Sequence, residues 1–357
     1  MRPLAALLCA LLSIVPLSAQ KQKKEQPTQT LRLPEELPQA VTGDTHRLAF
    51  HTTPLSAKGL LSPQAREAIK ALQHESSGET VLKIRVFVAG SGDLRHVRDL
   101  ISDAFGGHKQ APPTVALVKV GALPLEGAQV EFEAITESRK EVNPAGLAFI
   151  SPTVATAEDP LGPTQPLLEK SLAGLRDSLA AAQLAPADAL RVTCFLSSLT
   201  SIANARQLTA TQFAQASLVF VQPSRSPGES LAACEAIARL HTAPATPVTF
   251  VGADNGSPRA ALVATPQVVL TGSQYSFGYQ EPAARLAFER LTKSLEQAGS
   301  SPANVVYAHY YPLSPSLATQ VRKVSADFLK LPAATYLLFE GLPSMDAGFG
   351  VDVVAAK

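Results

Sequence analysis

Apolar and polar positions along most of this 357-residue chain repeat one order of elements: strand, helix, strand, helix, strand, turn, strand. The order is clearest in the middle third, where GLAFIS (146–151) predicts a short apolar strand. The helix after it has one apolar stripe, spaced by four, three and four residues: Leu168, Leu172, Leu175 and Leu179. A strand over 187–199, a helix to about Ala214 and two closing strands, ASLVFVQ and LAACEAIARL, complete this unit.

The first and last thirds of the chain follow the same order. The last third has a helix stripe between the strands VVLTGSQ (268–274) and ANVVYAHYYPL, formed by Ala287, Leu291, Leu295 and Ala298. A helix over 314–329 and the strands AATYLLFEGLP and FGVDVVAA close that unit. The first third has the strands LAFHTTP and TVLKIRVFVAG around a helix that begins near Ser62-Pro63. A second helix, with Ser91 or Asp93 as its N-cap, and the strands PTVALVKVGALP and VEFEAIT follow.

Helices with a single apolar stripe pack on one face of a sheet. The other sheet face must also be buried, because strands such as VVYAHYY and LVFV are apolar on both sides. We therefore predict an α+β fold of three tandem domains whose sheets pack together, so that one chain forms a monomeric pseudotrimer. The predicted domains cover 46–140, 144–241 and 259–357, with a linker at 242–258 that is rich in Pro, Gly and Thr.

The first residues predict export. Arg2, an apolar stretch over 4–17 and the small pair Ser18-Ala19 are typical of a secretory signal peptide over 1–19, and a polar leader over 20–45 follows. A short membrane anchor is the alternative. We expect a periplasmic or extracellular protein with no membrane segment after signal cleavage.

Composition limits which partners are expected and which states the cysteines can adopt. With a net charge of +1 and 17% charged residues, the chain is neither disordered nor a basic nucleic-acid binder, so no nucleic-acid partner is expected. Signal cleavage would leave Cys194 and Cys234. In an exported protein they can form one disulfide, but two buried thiols are the interpretation we favour.

No other motif indicates a cofactor or a metal. The seven histidines lack metal-ligand spacing, and His309 lies on an apolar strand where a core role is favoured. The sequence AGSGD at 89–93 lacks the later glycine and the lysine of a phosphate-binding loop. Arg225 and Arg259 are loop arginines that can reach a cleft, with a solvated surface position as the alternative.

The closing segment of the first unit, PTVALVKVGALP…VEFEAI, resembles the C-terminal signature of the Rid (YjgF) family, in which many members are enamine/imine deaminases. LRVTCFLSSL in the second unit and LTGSQ in the third are similar to earlier parts of that family's pattern. The resemblance implies a chorismate-mutase-like α+β fold, in which subunits form homotrimers with ligand clefts between neighbours. Three copies in one chain would build that trimer covalently.

The resemblance also implies a site for 2-imino or 2-enamino acids. An arginine early in the penultimate strand would hold the substrate carboxylate with bidentate hydrogen bonds. Counting from the Leu-Pro turns, and in the second unit from Val219 and Val221, places this position at Val115, Ala216 and Ala334, none of which is an arginine. Apolar side chains supply neither the charge nor the fork of donors, so the usual deaminase chemistry is in doubt.

The remaining family positions are kept only in part. The carboxylate on the last strand is expected at Glu131, Ala233 and Asp352, so Glu131 and Asp352 are the catalytic candidates. Val130, Phe132 and Ala134 should face one side of a half-buried strand, and Glu131 and Glu133 the other. The Ser-Gly pair after the first strand survives as Thr271-Gly272, so we expect Thr271, Gly272 and Ser273 to bind ligand.

Two functions remain open at this stage. The first is binding of a small metabolite in clefts between units, with a degenerate deaminase site and no cofactor. The second is an active enamine/imine deaminase, or a related hydrolase of altered specificity. The missing arginines favour the first, and the retained Glu131 and Asp352 keep the second open.

Overall fold

The computed structural model describes residues 36–106, 111–252 and 257–357, and within them the chain forms three β-sheets and six α-helices. The predicted signal peptide (1–19) and residues 20–35 of the predicted leader lie outside these ranges. None of the described helices is both long and apolar enough to cross a membrane.

Sheet 1 lies in the first third of the chain. A strand that belongs to another sheet, β1 (Ala40–Asp44), comes before it. The elements of sheet 1 and its helix layer are β2 (Leu48–Thr52), α1 (Leu61–Glu75), β3 (Thr80–Ala89), α2 (Leu94–Phe105), β4 (Thr114–Val120) and β5 (Val130–Glu137). The strands are ordered β2-β5-β3-β4, and only β3 and β4 run parallel.

Sheet 2 is built from the middle third. Its elements are β6 (Leu147–Ala157), α3 (Gln165–Ala181), β7 (Ala189–Leu196), α4 (Ile202–Gln212), β8 (Ser217–Val221), β9 (Ser230–Arg239), β10 (Val248–Val251) and β11 (Ala260–Val263). The order is β10-β11-β6-β9-β7-β8, with β7 and β8 parallel. Cys194 on β7 and Cys234 on β9 are direct cross-strand neighbours and form a disulfide, so the interpretation as two buried thiols is wrong.

Sheet 3 is built from the last third. Its elements are β12 (Gln267–Thr271), β13 (Gln274–Phe277), α5 (Glu281–Gln297), β14 (Val305–Pro312), α6 (Pro315–Phe328), β15 (Ala333–Tyr336) and β16 (Ala347–Ala356). The order is β1-β12-β16-β14-β15, with β13 also paired to β16 and β14 parallel to β15. Short 3₁₀ helices at Thr45–Arg47, Pro186–Asp188 and Pro302–Asn304 precede β2, β7 and β14.

The three sheets share one plan. Each contains four equivalent strands, in the order β2-β5-β3-β4, β6-β9-β7-β8 or β12-β16-β14-β15. Within each set of four, the first strand along the chain pairs with the last, the last with the second, and the second runs parallel to the third. The helices pack on one face through the predicted stripes, and Asp93 caps α2 by accepting a hydrogen bond from the backbone N–H of Arg95 at 2.9 Å.

The opposite faces of the three sheets pack against one another, as the two-sided apolar strands predicted. Two hydrophobic clusters each contain residues from all three sheets. In one of them, Phe195 on β7 makes edge-to-face contacts with Phe87 on β3, at 6.1 Å between ring centroids, and with Phe339 after β15, at 6.0 Å.

Four short strands were not predicted. β1 lies in the predicted polar leader and β10 in the predicted linker, whereas β11 and β13 lie inside the predicted third domain, on either side of its first predicted strand. β1 pairs with β12 of sheet 3, yet after Thr45–Arg47 the chain enters sheet 1 as β2. In the same way β11 pairs with β6 of sheet 2, and after residues 264–266 the chain enters sheet 3 as β12. These crossing strands link the sheets by backbone hydrogen bonds.

Candidate functional site: the seams between sheets and a buried charged core

The sheets meet at three seams, each formed by the first strand of one sheet and the third strand of another. We call them the first seam (β2 with β8), the second seam (β6 with β15) and the third seam (β12 with β4). Backbone hydrogen bonds also join the ends of the third strands and the loops after them. Gly121 N–H donates to Gln222 O at 2.8 Å, Ser224 N–H to Leu338 O at 3.0 Å, and Glu340 N–H to Lys119 O at 3.0 Å.

The third seam contains a cleft of about 460 Å³, which lies within the range of small-molecule sites. Gly272 and Ser273, two of the three predicted ligand residues, line it together with Val115. Gly272 is required by the close approach of the strands, because a Cβ there would lie 3.0 Å from Val115 O. Ser273 N–H donates to the same carbonyl at 3.1 Å.

Thr271 has a different role from the predicted one. Its side chain is fully buried, and Oγ1 accepts a hydrogen bond from Val353 N–H of β16 at 2.9 Å. It does not line the cleft. The hydroxyl is held inside sheet 3, so among the three predicted ligand residues only Gly272 and Ser273 are placed to meet a ligand.

The second seam contains a cleft of about 590 Å³. Tyr310, Tyr336 and Arg322 form one wall, and the guanidinium of Arg322 lies 4.5 Å from the centroid of the Tyr336 ring. Ala334 lines this cleft, and its N–H donates to Ser151 Oγ at 3.0 Å. The loop arginine Arg259 also lines it, whereas Arg225 donates to Gln222 Oε1 at 3.3 Å.

The three positions at which the family resemblance places an arginine are apolar and engaged in the seams or the core. The carbonyl of Val115 accepts a hydrogen bond in the third seam, and the N–H of Ala334 donates one in the second seam. Ala216 packs against the helix-side core of sheet 2 and lies before β8, so it is not the equivalent position. The register places Leu218 there, because Leu218 is opposite Val192 as Val115 is opposite Ile84 and Ala334 is opposite Ala308. No side chain at these positions can form an ion pair with a substrate carboxylate.

Glu131 is a buried carboxylate without a hydrogen-bond partner for Oε2 among the described residues. Burial raises its pKa to about 8, and repulsion from Glu133 adds to the shift, while Arg206 opposes it. Arg206 lies on α4, the helix beside β8, so Glu131 faces the side of the molecule that carries the first seam. The strand is buried on both faces rather than half-buried as predicted, with Glu131 5% and Glu133 1% exposed.

The strand register corrects the expected equivalence of Glu131 and Asp352. On the last strands, Glu133 is opposite Arg85, Glu235 is opposite Thr193, and Asp352 is opposite His309. Asp352 therefore corresponds to Glu133 and Glu235. The positions that correspond to Glu131 are Ala233 and Gly350, opposite Phe195 and Tyr311. A Cβ at Gly350 would lie 3.2 Å from the Tyr275 ring, which occupies the space a carboxylate would need.

Asp352 belongs to a charged core enclosed by the three sheets. The core has three carboxylates, one from each last strand, and four basic side chains: Glu133, Glu235, Asp352, Lys83, Arg85, Arg191 and His309. Each of them is at most 7% exposed. Arg85 donates to Glu133 Oε2 at 2.5 Å and to Glu235 Oε1 at 2.6 Å, and Lys83 pairs with Asp352.

Every carboxylate in the charged core is held by a group from another sheet. Arg191 of sheet 2 lies 3.7 Å from Glu133, and His309 Nε2 of sheet 3 lies 3.4 Å from Glu235. Thr193 donates to Glu133 and Thr335 to Glu235, while Tyr311 donates to Asp352 Oδ2 at 2.6 Å.

Electrostatics within the core favour the ionised form of two of its carboxylates, Asp352 and Glu235. Burial opposes ionisation of Asp352, but Lys83 and His309 outweigh it and hold the pKa of Asp352 below its usual value. Burial is likewise outweighed at Glu235, where Arg85 and His309 lower the pKa. The pKa of Lys83 is lowered because its burial outweighs the attraction of Asp352. The central cavity beside these groups is about 20 Å³, too small for a metabolite.

The charged core was missed in the sequence, although one signal was present. Lys83 and Arg85 stand two residues apart in TVLKIRVFVA, so they share one face of a strand that is otherwise apolar. Isolated charges on such a strand need partners when the strand is buried. Among the described residues, no group of three or more His, Cys, Asp and Glu side chains is arranged to hold a metal ion.

Residues 48–138 match the family model described as Endoribonuclease L-PSP. This span coincides with sheet 1 and its two helices. Comparison with curated proteins finds no match to the chain. The family resemblance noted in the sequence is therefore confirmed for residues 48–138 and rests on element order in the rest of the chain.

Solved structures described as members of the YjgF or Rid family, or as endoribonuclease L-PSP, are similar to about a third of the chain. Rv2704 from Mycobacterium tuberculosis, a member of the YjgF/YER057c/UK114 family, is 24% identical, with 31% of this chain and 99% of that chain covered and a TM-score of 0.24. The Rid-family protein YyfB from Yersinia pestis is 16% identical, with 31% and 100% covered and a TM-score of 0.29. A putative endoribonuclease L-PSP from Entamoeba histolytica is 20% identical, with 31% and 99% covered and a TM-score of 0.24.

Proposed function

We propose that the protein is an exported single-chain pseudotrimer of three Rid-like units, which binds a small metabolite in its seam clefts and has lost the usual deaminase site. The observation that carries the proposal is which residues occupy the family's arginine and carboxylate positions at the seams. All three arginine positions are apolar, and the carboxylate position is occupied by Glu131, Ala233 and Gly350.

The repeated plan of the sheets supports three related units. Four strands of sheet 2 and four of sheet 3 repeat the strand order of sheet 1. Sheet 1 is the part of the chain that matches the family model. The disulfide between Cys194 and Cys234 suits an oxidising compartment and supports export.

The charged core supports a single-chain assembly. Sheet 1 contributes Lys83 and Arg85 with Glu133, sheet 2 contributes Arg191 with Glu235, and sheet 3 contributes His309 with Asp352. Three copies of sheet 1 alone would bring six of these cations against three of these carboxylates. Buried charges without partners are strongly unfavourable, so the core fits one copy of each sheet and disfavours three copies of the first.

The second candidate function is hydrolysis of an imine or a related small carbonyl compound at Glu131. The observation in its favour is the buried Oε2, which has no hydrogen-bond partner among the described residues, on a carboxyl whose pKa is raised to about 8. Such a group is partly protonated at neutral pH and can act as a general acid or base. This candidate lacks the arginine that would hold a substrate carboxylate, since the register places Leu218 at the strand position that corresponds to Val115 and Ala334.

Turnover of 2-aminoacrylate or iminopyruvate, generated in situ, separates the two candidates. We expect no hydrolysis above the uncatalysed rate, and no change with Glu131→Gln. Robust turnover that Glu131→Gln abolishes would establish the second candidate and overturn the first. Asp352→Asn is unsuitable as a test of catalysis, because Asp352 is bound to Lys83, His309 and Tyr311 in the core.

Light scattering on the purified protein tests the assembly. We expect the mass of one chain. An obligate homotrimer would contradict the single-chain pseudotrimer, whatever the outcome of the turnover assay.

A further inference from the structure

Arg191 is a buried cation whose guanidinium forms no hydrogen bond with the described residues. The residue is 5% exposed, and its ion-pair contact joins Nη1 to Glu133 Oε2 at 3.7 Å, which is beyond hydrogen-bonding distance. Its guanidinium carbon also lies 5.7 Å from the centroid of the Phe50 ring. A guanidinium has five N–H donors, and burying them without acceptors is unfavourable.

The other three basic side chains of the charged core are each hydrogen-bonded to a carboxylate. Lys83 and Arg85 donate to core carboxylates, and His309 Nδ1 lies 3.2 Å from Asp352 Oδ1. With four basic side chains against three carboxylates, the fully ionised core has one positive charge in excess. Burial lowers the pKa of Arg191 despite the nearby carboxylates. Arg191 is therefore the side chain at which the core lacks a hydrogen-bonded negative partner.

The cavity enclosed by the charged core has the size of one small ion. Its volume is about 20 Å³, and Arg191, Arg85, Lys83 and His309 all line it. At least about 10–15 Å³ is needed to hold one water molecule, so the cavity accepts a single water or a monatomic ion and excludes phosphate, sulfate and organic acids. A water molecule can accept hydrogen bonds from these donors, but it leaves the charge unbalanced.

We propose that the charged core binds one chloride ion in this cavity, held by the guanidinium groups of Arg191 and Arg85. Nη1 of Arg85 is buried and has no hydrogen-bond partner among the described residues, so it adds a second donor group. Glu133 and Glu235 also line the cavity, but each is already paired with Arg85. The site lies between the sheets and not in a seam cleft, so the inference goes beyond the proposed function.

Anomalous scattering from crystals of the full chain grown in sodium bromide locates the ion. Bromide replaces chloride and scatters anomalously, whereas water does not. We expect one anomalous peak in the cavity, within hydrogen-bonding distance of the Arg191 guanidinium. Absence of that peak, both in bromide and in long-wavelength data from crystals grown in sodium chloride, would overturn the proposal and identify any density there as water.

Urea unfolding of the full chain at constant ionic strength measures the contribution of the ion. Sodium chloride replaces sodium gluconate in steps, because gluconate is too large for the cavity. A ligand that binds only the folded state raises the folding equilibrium constant in proportion to its concentration once this exceeds the Kd. We therefore expect about a tenfold increase in that constant for each tenfold rise in chloride. Identical unfolding curves in the two salts would contradict the proposal.

Arg191→Gln removes the excess positive charge and most of the donors of the site. We expect this variant to lose both the chloride dependence of unfolding and the anomalous peak. Arg176→Gln is the matched control and should keep both, because Arg176 is an exposed arginine on α3, in the helix layer of the same sheet.

Chloride dependence that persists in Arg191→Gln would place the ion elsewhere and overturn the proposal. The bromide and chloride experiments on the parent chain decide the question even if Arg191→Gln fails to fold. None of these outcomes depends on ligand binding in the seam clefts or on turnover at Glu131.

Discussion

Glu131 shows how one residue can be identified in the sequence and still be misjudged in its surroundings. Strict alternation in VEFEAIT predicts that Glu131 and Glu133 share a face, and the structure confirms that they do. Alternation does not reveal what covers that face. Because the face meets two other sheets instead of water, Glu133 enters the charged core, while Oε2 of Glu131 has no hydrogen-bond partner in the described part of the chain.

The raised pKa of Glu131 predicts a stability that falls as pH rises. The unfolded carboxyl ionises near its ordinary pKa of 4.5, whereas the folded one ionises near 8. Any stabilisation linked to the protonated carboxyl is therefore fully present below pH ~4.5 and is lost at about 1.4 kcal/mol per pH unit up to pH ~8. Glu131→Gln should raise the unfolding temperature at pH 8.5 and have little effect of this kind at pH 5.

Thermal unfolding as a function of pH checks this prediction. Glu126→Gln serves as the control, because Glu126 is an exposed acid in the turn before the same strand. A difference between Glu131→Gln and the parent chain that does not vary with pH would contradict the raised pKa.

Positions counted from sequence motifs were reliable where a turn fixed the count and failed where the register decided it. Counting from Leu123-Pro124 reached Val115, which lines the third-seam cleft. Counting along the last strand of the third unit reached Asp352, two residues beyond the position that corresponds to Glu131. A two-residue shift keeps a side chain on the same face, so alternation alone cannot detect it.

At the scale of elements, long periodic segments were predicted well and short ones were missed. The stripe Leu168 to Leu179 lies within α3, and the leucines are buried as predicted. β1 has the sequence AVTGD, whose glycine and aspartate are poor strand formers, and β10 and β11 have four residues each. Pairing with a neighbouring sheet, rather than local preference, makes these segments strands.

The pairing of β1 predicts a cost when it is removed. A chain that starts at Thr45 loses five residue pairs with β12 and uncovers the edge of sheet 3. At about 1 kcal/mol for each hydrogen bond, the free energy of unfolding should fall by about 3 kcal/mol or more. Urea unfolding measures the loss, and hydrogen exchange should be fastest to increase at the amides of β12.

A chain that starts at Glu36 keeps β1 and is the control for this truncation. An equal unfolding midpoint for the two chains would show that β1 contributes nothing to sheet 3. Increased aggregation of the shorter chain is expected, because a bare strand edge can pair with another molecule.

At the scale of the whole molecule, the charged core makes the three sheets depend on one another. Glu235 of sheet 2 contacts Arg85 of sheet 1 and Thr335 of sheet 3. A buried ion pair adds little net stability compared with apolar packing, but removing one partner leaves an uncompensated charge. The charged core therefore determines which sheets can pack together more than it adds to the stability of the assembly.

Glu235→Gln should lower the free energy of unfolding by about 3–5 kcal/mol, because it leaves Arg85 and His309 short of negative charge. Unfolding should remain a single transition, because the lost interactions of Glu235 involve all three sheets. Glu229→Gln, an exposed acid just before β9, should change stability by less than about 0.5 kcal/mol. A loss at Glu235 as small as the one at Glu229 would show that the core charges are not coupled to the assembly.

The pairing of β1 with sheet 3 also determines how late in synthesis this strand can fold. Its partners in β12 follow it by more than 220 residues. At about 5–20 residues per second, a ribosome needs roughly 10 to 50 s to make that length of chain. During that interval β1 has no edge to join, and so distant a pairing slows folding further. The earliest strand of the described chain reaches its place only after the last sheet has been synthesised.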